Sequence, residues 1–242
     1  MLSRRDVLTI LPSLPLVGQG LLASEDAPSH KPIRLVSYNI KRGFGMDGRT
    51  DLNRTIESLR KLKPDLLSLQ EVDKNCDRSG SQNQPALIAK ALGLEPAFQK
   101  FMDFDGGEYG LAVFSKFPII KMGSHHLPTG REPRFAQEIQ VELDSKRVSF
   151  VGLHLDWTTP ELRVPQATTL IRALTDRKHV ILAGDFNAQP DSPTCKHFYL
   201  IRLYLRAENR ARLDLPIRQA HDRDRLLRRS RAGQGQTNML SD

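Results

Sequence analysis

A chain of 242 residues, 39% of them hydrophobic, is long enough for one domain with its own core and does not require a second domain. Its formal net charge of +8 at pH 7 points to a polyanionic partner, but the charge is unevenly distributed. Residues 1–193 contain 25 Lys and Arg against 23 Asp and Glu, whereas residues 194–242 contain 11 against 5. The nearly neutral body gives little support for a dedicated nuclease, because duplex binding depends on neutralising phosphates.

The first 30 residues have the composition of an export signal. Arg4 and Arg5 precede an uncharged run over residues 7–23, which is too short to span a bilayer comfortably. Paired arginines of this kind resemble the twin-arginine signal, which exports folded proteins. We therefore expect a signal and linker over residues 1–30 and an exported, periplasmic or extracytoplasmic protein. A frayed cytosolic start is the alternative.

From residue 33 onward, short apolar segments alternate with segments of helical period. Asp51 precedes the first helical segment, Gly93 closes the second and Pro160 opens the third. In chain order we predict strand 33–40, helix 51–63, strand 65–72, helix 84–93, strands 110–115, 117–122, 135–143 and 147–155, helix 160–177 and strand 179–187. This order mixes βα units with antiparallel hairpins, which favours sheets packed face to face with helices outside.

Polar residues end several of the predicted strands. Asn39 ends the first, Glu71 the second, and Asp185 with Asn187 the last. Carboxylates gathered at one edge of a sheet are what a hard cation such as Mg²⁺ requires. His154 ends another strand, where an imidazole could stabilise developing charge or protonate a leaving oxygen. Taken singly, these residues have structural interpretations as well: a solvated acid, an Asx-turn or a hydrogen-bonded core histidine.

Seven segments together carry a resemblance to a known family. They are SYNIKRG (37–43), LLSLQEVD (66–73), RSG (78–80), GEYGLAVFSKFPI (107–119), EPR (132–134), GLHLD (152–156) and ILAGDFNAQPDSP (181–193). The set, within residues 32–193, resembles the endonuclease/exonuclease/phosphatase superfamily of metal-dependent phosphoesterases. The resemblance implies an α/β domain over residues 31–199. It would be a four-layer sandwich of two mixed β-sheets flanked by helices, here lacking its closing C-terminal strands.

The resemblance implies a metal site at two of the polar residues. Glu71 matches the position that binds the divalent ion directly, Mg²⁺ or Mn²⁺. Asn39 matches the position that orients the surroundings of the ion. His125 and His126 fall in none of the matching segments, and we predict that they lie at the surface.

The resemblance also implies roles in catalysis. Asp185 matches the carboxylate that positions or activates the attacking water, and Asn187 matches the amide that holds the phosphate oxygens beside it. His154 matches a histidine that stabilises the transition state. Tyr109 corresponds to a phosphate-contacting tyrosine found in some members.

The resemblance stops before residues 200–242. Members of the family continue past the GDFN strand to an Ile-Asp strand and a Ser-Asp-His, whose histidine is the general base, whereas residues 237–242 read TNMLSD. When residues 213–228 are written as degenerate codons and read one nucleotide later, they permit WTYPSDKPTTEIDYFV, which resembles the missing segment. We therefore interpret residues 200–242 as a frame-slipped, poorly ordered basic tail. A functional basic arm is the alternative; it predicts interleaved aromatic residues, and after Tyr204 there are none.

These expectations combine into a function. We predict a divalent-metal-dependent hydrolase of phosphodiesters or phosphomonoesters, impaired in this chain because the base histidine is missing. A catalytically inactive remnant that binds metal or phosphate is the alternative. The substrate is open between nucleic acid, a phospholipid headgroup and a small phosphodiester. We expect a monomer without an obligate protein partner.

Overall fold

The computed structural model describes residues 32–199, which lie within the predicted domain. The predicted export signal at 1–30 and the predicted basic tail at 200–242 lie outside the described residues, and the predictions for them stay predictions. Over the described range, no helix combines the length and the apolar character needed to cross a bilayer.

Within this range, eight strands form two four-stranded sheets. In chain order the strands are β1 (Leu35–Asn39), β2 (Leu66–Lys74), β3 (Glu95–Phe104), β4 (Gly107–Ser115), β5 (Lys121–Leu127), β6 (Arg134–Leu143), β7 (Lys146–His154) and β8 (Val180–Asp185). The first sheet has the order β1-β2-β4-β3 and the second the order β5-β6-β7-β8. The pairs β1/β2 and β7/β8 are parallel, and the other neighbours are antiparallel. Both sheets are therefore mixed, as predicted.

Helices cover the outer faces of the sheets. They are α1 (Leu52–Leu62), α2 (Gln84–Leu92) and α3 (Arg163–Ala173), and residues 193–199 are helical as well. The Asp51 side chain caps α1 by accepting the Arg54 amide at 3.1 Å, and Gly93 closes α2 with a φ of 66°. Both caps confirm the prediction. A 3-10 turn over Pro160–Leu162 precedes α3, which ends at Ala173 and not at the predicted residue 177.

Three hydrophobic clusters separate four layers of structure. The first cluster lies between α1, α2 and the first sheet, the second between the two sheets, and the third between the second sheet and α3. Their fully buried members include Leu59, Leu67 and Ile88 in the first, Leu111, Ile139 and Phe150 in the second, and Leu153 and Leu170 in the third. Burial of each such side chain contributes about 1.5–3 kcal/mol. The predicted four-layer sandwich is confirmed.

The strand β8 is an edge strand within residues 32–199. It pairs with β7 on one side, and its side chains are exposed or half-buried, unlike those of the central strands. The prediction that closing strands are lacking concerns residues outside this range and stays a prediction.

Two features of the first sheet depart from the prediction. The chain leaves that sheet at residues 116–120, where the sequence predicts a strand over 117–122, and β5 begins only at Lys121. Phe117 and Ile119 are apolar because they pack at the rim of the cluster between the sheets. The strand β3 is absent from the prediction because it is an edge strand with a proline, in which only Ala97 and Phe101 are buried.

Glu138 on β6 joins three strands of the second sheet to the segment after α3. Its Oε1 accepts hydrogen bonds from Ser149 at 2.6 Å, Gln140 at 3.0 Å and Arg177 at 2.8 Å, and His125 Nε2 lies 2.9 Å from its Oε2. Burial by itself would raise the pKa of Glu138. The hydrogen bonds, with that of Arg177 the largest, outweigh burial and lower the pKa to about 2.

The histidine pair of β5 divides between two environments. His125 faces Glu138, and its side chain is 13% exposed. His126 is exposed, and its ring meets Phe135 edge-on at 4.9 Å. The predicted surface position is therefore wrong for His125, because neighbours along a strand point to opposite faces.

Replacing Glu138 with glutamine is expected to lower the free energy of unfolding at pH 7 by about 3 kcal/mol. The pKa of Glu138 is below its ordinary value of 4.5 in the folded protein, so the ionised carboxylate stabilises the fold above about pH 4.5. That contribution is lost as the pH falls towards 2. Urea unfolding of the wild type and of Glu138→Gln at pH 7 and pH 3 measures this contribution. The difference in free energy of unfolding between the two proteins should be smaller at pH 3 than at pH 7 by about half or more. Glu142→Gln, exposed on the same strand, is the control; equal losses in both variants would contradict the prediction.

Candidate active site

The two sheets bring the carboxyl ends of four strands together. β1 and β2 run parallel, β7 and β8 run parallel, and β1 packs against β8 across the sandwich. Asn39, His154 and Asp185 are each the last residue of their strand, and Glu71 lies near the end of β2. Residues as far as 146 positions apart in the chain therefore meet at one edge.

Asn39 links the two carboxylates of this edge. Its Nδ2 donates to Glu71 Oε1 at 2.7 Å and to Asp185 Oδ2 at 3.3 Å. Its Oδ1 accepts the Lys41 amide at 3.1 Å, which fixes the orientation of the side chain. One amide group thus joins the two acids at this edge of the sandwich.

Glu71 lies on an irregularity of β2. The pairing with β4 shifts register between Leu69 and Val72, and Glu71 has a φ of 56°. A bulge of this kind re-aims a side chain, and a left-handed backbone at a residue other than glycine costs about 1–3 kcal/mol. The strain is therefore located at the predicted metal ligand.

Within residues 32–199, no lysine or arginine side chain compensates the charges of Glu71 and Asp185. Among residues 32–199, no lysine or arginine nitrogen lies within 4.0 Å of the Glu71 or Asp185 carboxylate. Two converging carboxylates without a basic partner suit a divalent cation, which supplies the missing positive charge. In the same part of the chain, no three or more His, Cys, Asp or Glu side chains are already arranged to hold a metal ion. A Mg²⁺ ion tolerates so few protein ligands because it keeps several waters.

His154 is buried beside Asp185, with 3% of its surface exposed. Burial lowers the pKa of His154 to about 4; Arg134 acts in the same direction, and Asp185 and Asp156 oppose the shift. Nε2 lies 3.9 Å from Asp185 Oδ2, and Nδ1 is buried without a hydrogen-bond partner in the described part of the chain. A neutral ring with one unpartnered nitrogen is suited to hydrogen-bond a ligand oxygen.

Asn187 orders the turn that follows β8. It has a φ of 47°, and its backbone N–H donates to Asp185 Oδ1 at 2.9 Å. Its Nδ2 donates to the Leu155 carbonyl at 2.9 Å. The turn is therefore the Asx-turn of the structural interpretation, with the Asn187 backbone N–H on the Asp185 carboxylate and the Asn187 side-chain amide on the Leu155 carbonyl.

Tyr109 on β4 reaches the same group of residues. It is buried, and burial raises its pKa above the ordinary range, with a further increase from the Glu71 carboxylate and a decrease from Arg134. The phenol is therefore protonated and offers a hydrogen-bond donor at the site.

Arg134, at the start of β6, is a site residue that the sequence prediction missed. Its Nη2 donates to Glu132 at 2.9 Å, but its Nε and Nη1 are buried without a partner among residues 32–199. The guanidinium lies 5.5 Å from the Phe101 ring and influences the pKa values of His154 and Tyr109. Each buried unsatisfied donor costs about 1–3 kcal/mol, so these donors suit an oxygen acceptor from water or from a ligand. The available signal was the EPR segment, which places an arginine at the start of an apolar strand.

A family profile decides which group of proteins these features belong to. The profile of the Endonuclease/Exonuclease/phosphatase family matches residues 36–238. The chain belongs to this family. The resemblance carried by the seven sequence segments is thereby confirmed. The match extends into residues 200–242, whose frame-slipped origin stays a prediction.

Individual relatives are distant. Nocturnin of Rattus norvegicus is 24% identical in an alignment of 212 residues, and the match covers 73% of this chain and 48% of the rat protein. The chain thus spans about half the length of the curated relative it matches. The human Nocturnin catalytic domain with bound sulfate is 25% identical, with a TM-score of 0.54 and 69% of each chain covered. Mannosyl-6-phosphatase of Bacteroides thetaiotaomicron is 18% identical, with a TM-score of 0.55, 70% of this chain and 71% of that chain covered; this likeness shows the fold.

The structure shows where the six predicted site residues lie, but their roles in this chain stay predictions. The structure brings all six to one edge of the sandwich: Asn39, Glu71, Tyr109, His154, Asp185 and Asn187. Members of the family generally use divalent metals. The individual roles of the six residues in this chain stay predictions.

Proposed function

We propose that this chain is a phosphoester hydrolase that acts with a divalent cation, Mg²⁺ or Mn²⁺. Glu71 binds the cation, and Asn39 orients the carboxylates around it. The supporting observation is the convergence of uncompensated carboxylates with the unpartnered nitrogens of His154 and Arg134. Carboxylates suit the cation and buried donors suit the oxyanion, so together they fit a complex of metal and phosphate. Family membership supports the same class of reaction.

The cation and the site residues have separate roles in the proposed reaction. A bound cation would supply electrostatic stabilisation of the charge that develops on the phosphate. Asp185 positions the attacking water with its carboxylate, which is held in place because Oδ1 accepts the Asn187 backbone N–H at 2.9 Å and Oδ2 accepts Asn39 Nδ2 at 3.3 Å. Arg134 and His154 donate hydrogen bonds to phosphate oxygens and so stabilise the transition state.

We further propose that turnover by the 242-residue chain is weak. The sequence after β8 contains two histidines, His197 and His221, and neither follows a Ser-Asp pair. His197 lies against α3, where its Nε2 is 2.8 Å from Thr168 Oγ1. Without the general base that the family resemblance implies, catalysis falls by about two to four orders of magnitude.

Hydrolysis of two chromogenic probes tests this proposal. The 242-residue chain is incubated with p-nitrophenyl phosphate or bis(p-nitrophenyl) phosphate in the presence of Mg²⁺, Mn²⁺ or EDTA. We expect slow turnover that requires the cation, together with an increase in Tm when the cation is added. An increase in Tm without turnover would favour the inactive metal-binding remnant. If the cation produces neither turnover nor an increase in Tm, the proposed metal site is overturned. Fast turnover would overturn the predicted impairment.

A further inference from the structure

Arg78 lies in the turn that follows β2, close to the candidate active site. Its Nη2 donates to Asp73 Oδ1 at 2.7 Å, and its Nε donates to Asp73 Oδ2 at 2.9 Å. The Asp73 side chain is fully buried, whereas 28% of the Arg78 side chain is exposed. This bidentate pair fixes one edge of the guanidinium and leaves part of the group open to a ligand.

Two aromatic rings fix the plane of the same guanidinium. Its Cζ lies 4.2 Å from the centre of the Phe104 ring and 5.4 Å from the centre of the Tyr109 ring. The backbone N–H of Arg78 donates to Asp105 at 2.6 Å, which anchors the turn. The side chain is therefore preorganised, and little conformational entropy remains to be lost on binding.

One edge of the guanidinium is unused. The pair with Asp73 engages Nε and one N–H of Nη2, and Nη1 has no hydrogen-bond partner among residues 32–199. The edge formed by Nη1 and Nη2 matches an oxyanion in two parallel hydrogen bonds.

Tyr109 is a residue of the candidate active site that also contacts the Arg78 guanidinium. The centre of its ring lies 5.4 Å from Arg78 Cζ and 6.1 Å from the centre of the Phe101 ring, and the Phe101 ring in turn lies 5.5 Å from Arg134 Cζ. We propose that Arg78 binds a second anionic group of the substrate, a phosphate or a carboxylate, while Arg134 binds the phosphate that is cleaved. The inference rests on the proposed function and deepens it: the preferred substrates carry two anionic groups.

Calorimetric titration with small anions in Mg²⁺ buffer tests the inference. AMP carries one phosphate group, ADP carries two adjacent groups, and adenosine 3′,5′-bisphosphate carries two groups separated by the ribose. We expect the full chain to bind at least one of the last two about tenfold more tightly than AMP. Whichever of the two shows the preference identifies the spacing of the second group.

Two variants separate ligand binding from structural support. Arg78→Lys keeps a positive charge for Asp73 but loses the planar fork, so the preference should fall about tenfold with AMP binding unchanged. The double variant Asp73→Asn with Arg78→Met leaves no buried unpaired charge and should also lack the preference. Arg60→Met, exposed on α1, is the control and should keep it.

The possible results separate the two proposals. Equal loss of AMP and bisphosphate binding in the Arg78 variants would indicate a purely structural role and overturn the inference. A wild-type chain without any preference for two anionic groups would overturn it as well, even if phosphoesters are hydrolysed. If the preference is present but no phosphoester is hydrolysed, the anion site stands and the hydrolase proposal fails.

Discussion

The Glu71→Gln variant is expected to lose about a hundredfold or more of the metal-dependent phosphoester turnover. Glutamine has the same shape and can still accept the Asn39 hydrogen bond, which joins Nδ2 to Glu71 Oε1 at 2.7 Å. It lacks the negative charge, so the cation loses its directly bound carboxylate. Initial rates over a Mg²⁺ titration measure the loss as a lower kcat and a weaker response to the ion.

Thermal unfolding provides a second measurement that does not depend on turnover. Mg²⁺ should raise the Tm of the wild-type chain but not that of Glu71→Gln, because only the former binds the ion. Glu161→Gln, exposed in the 3-10 turn before α3, is the matched control and should behave as the wild type. If Glu71→Gln responds to Mg²⁺ as the wild type does, Glu71 is not the metal ligand.

Gly184→Ala is expected to lower the free energy of unfolding by about 3 kcal/mol and to abolish turnover. A Cβ at this position would overlap the carbonyl oxygen of Leu153 on the neighbouring strand. Because the obstacle is backbone, β7 and β8 must separate to make room. His154 and Asp185 directly follow the two affected residues and would lose their 3.9 Å approach.

Gly48→Ala distinguishes this clash from a general intolerance of alanine. Gly48 has a φ of 77°, and nothing lies within 4 Å of the position of its Cβ. Its replacement should therefore cost only the left-handed strain, about 1–2 kcal/mol, and leave turnover unchanged. Urea unfolding of both variants gives the comparison; a loss for Gly184→Ala no larger than that for Gly48→Ala would refute the clash.

Helix ends and strand ends could be predicted where a single residue or a short run of residues marks them. The cap at Asp51 and the helix end at Gly93 follow from side-chain and backbone preferences of single residues. The strand ends at Asn39, His154 and Asp185 could be predicted because an apolar run that stops at a polar residue marks the edge of a sheet. An edge strand such as β3 lacks that pattern, because water covers much of its length.

The sequence predicts six candidate site residues, whose roles stay predictions, but it does not predict how the side chains around them are arranged. The buried position of the Arg134 donors depends on where β6 packs, and the EPR segment does not contain that information. The half-buried position of His125 depends in the same way on Glu138, which lies on the adjacent strand.

The family and the helix caps could be predicted from the sequence alone and are confirmed, whereas the roles of the six candidate site residues stay predictions. The link that the Asn39 amide makes between Glu71 and Asp185, across 146 positions of chain, and the bulge at Glu71 could not be predicted from the sequence. The physical reason is that alternation along a strand specifies the face on which a side chain lies. Which strand covers that face is decided by the packing of the two sheets, here of β1 against β8.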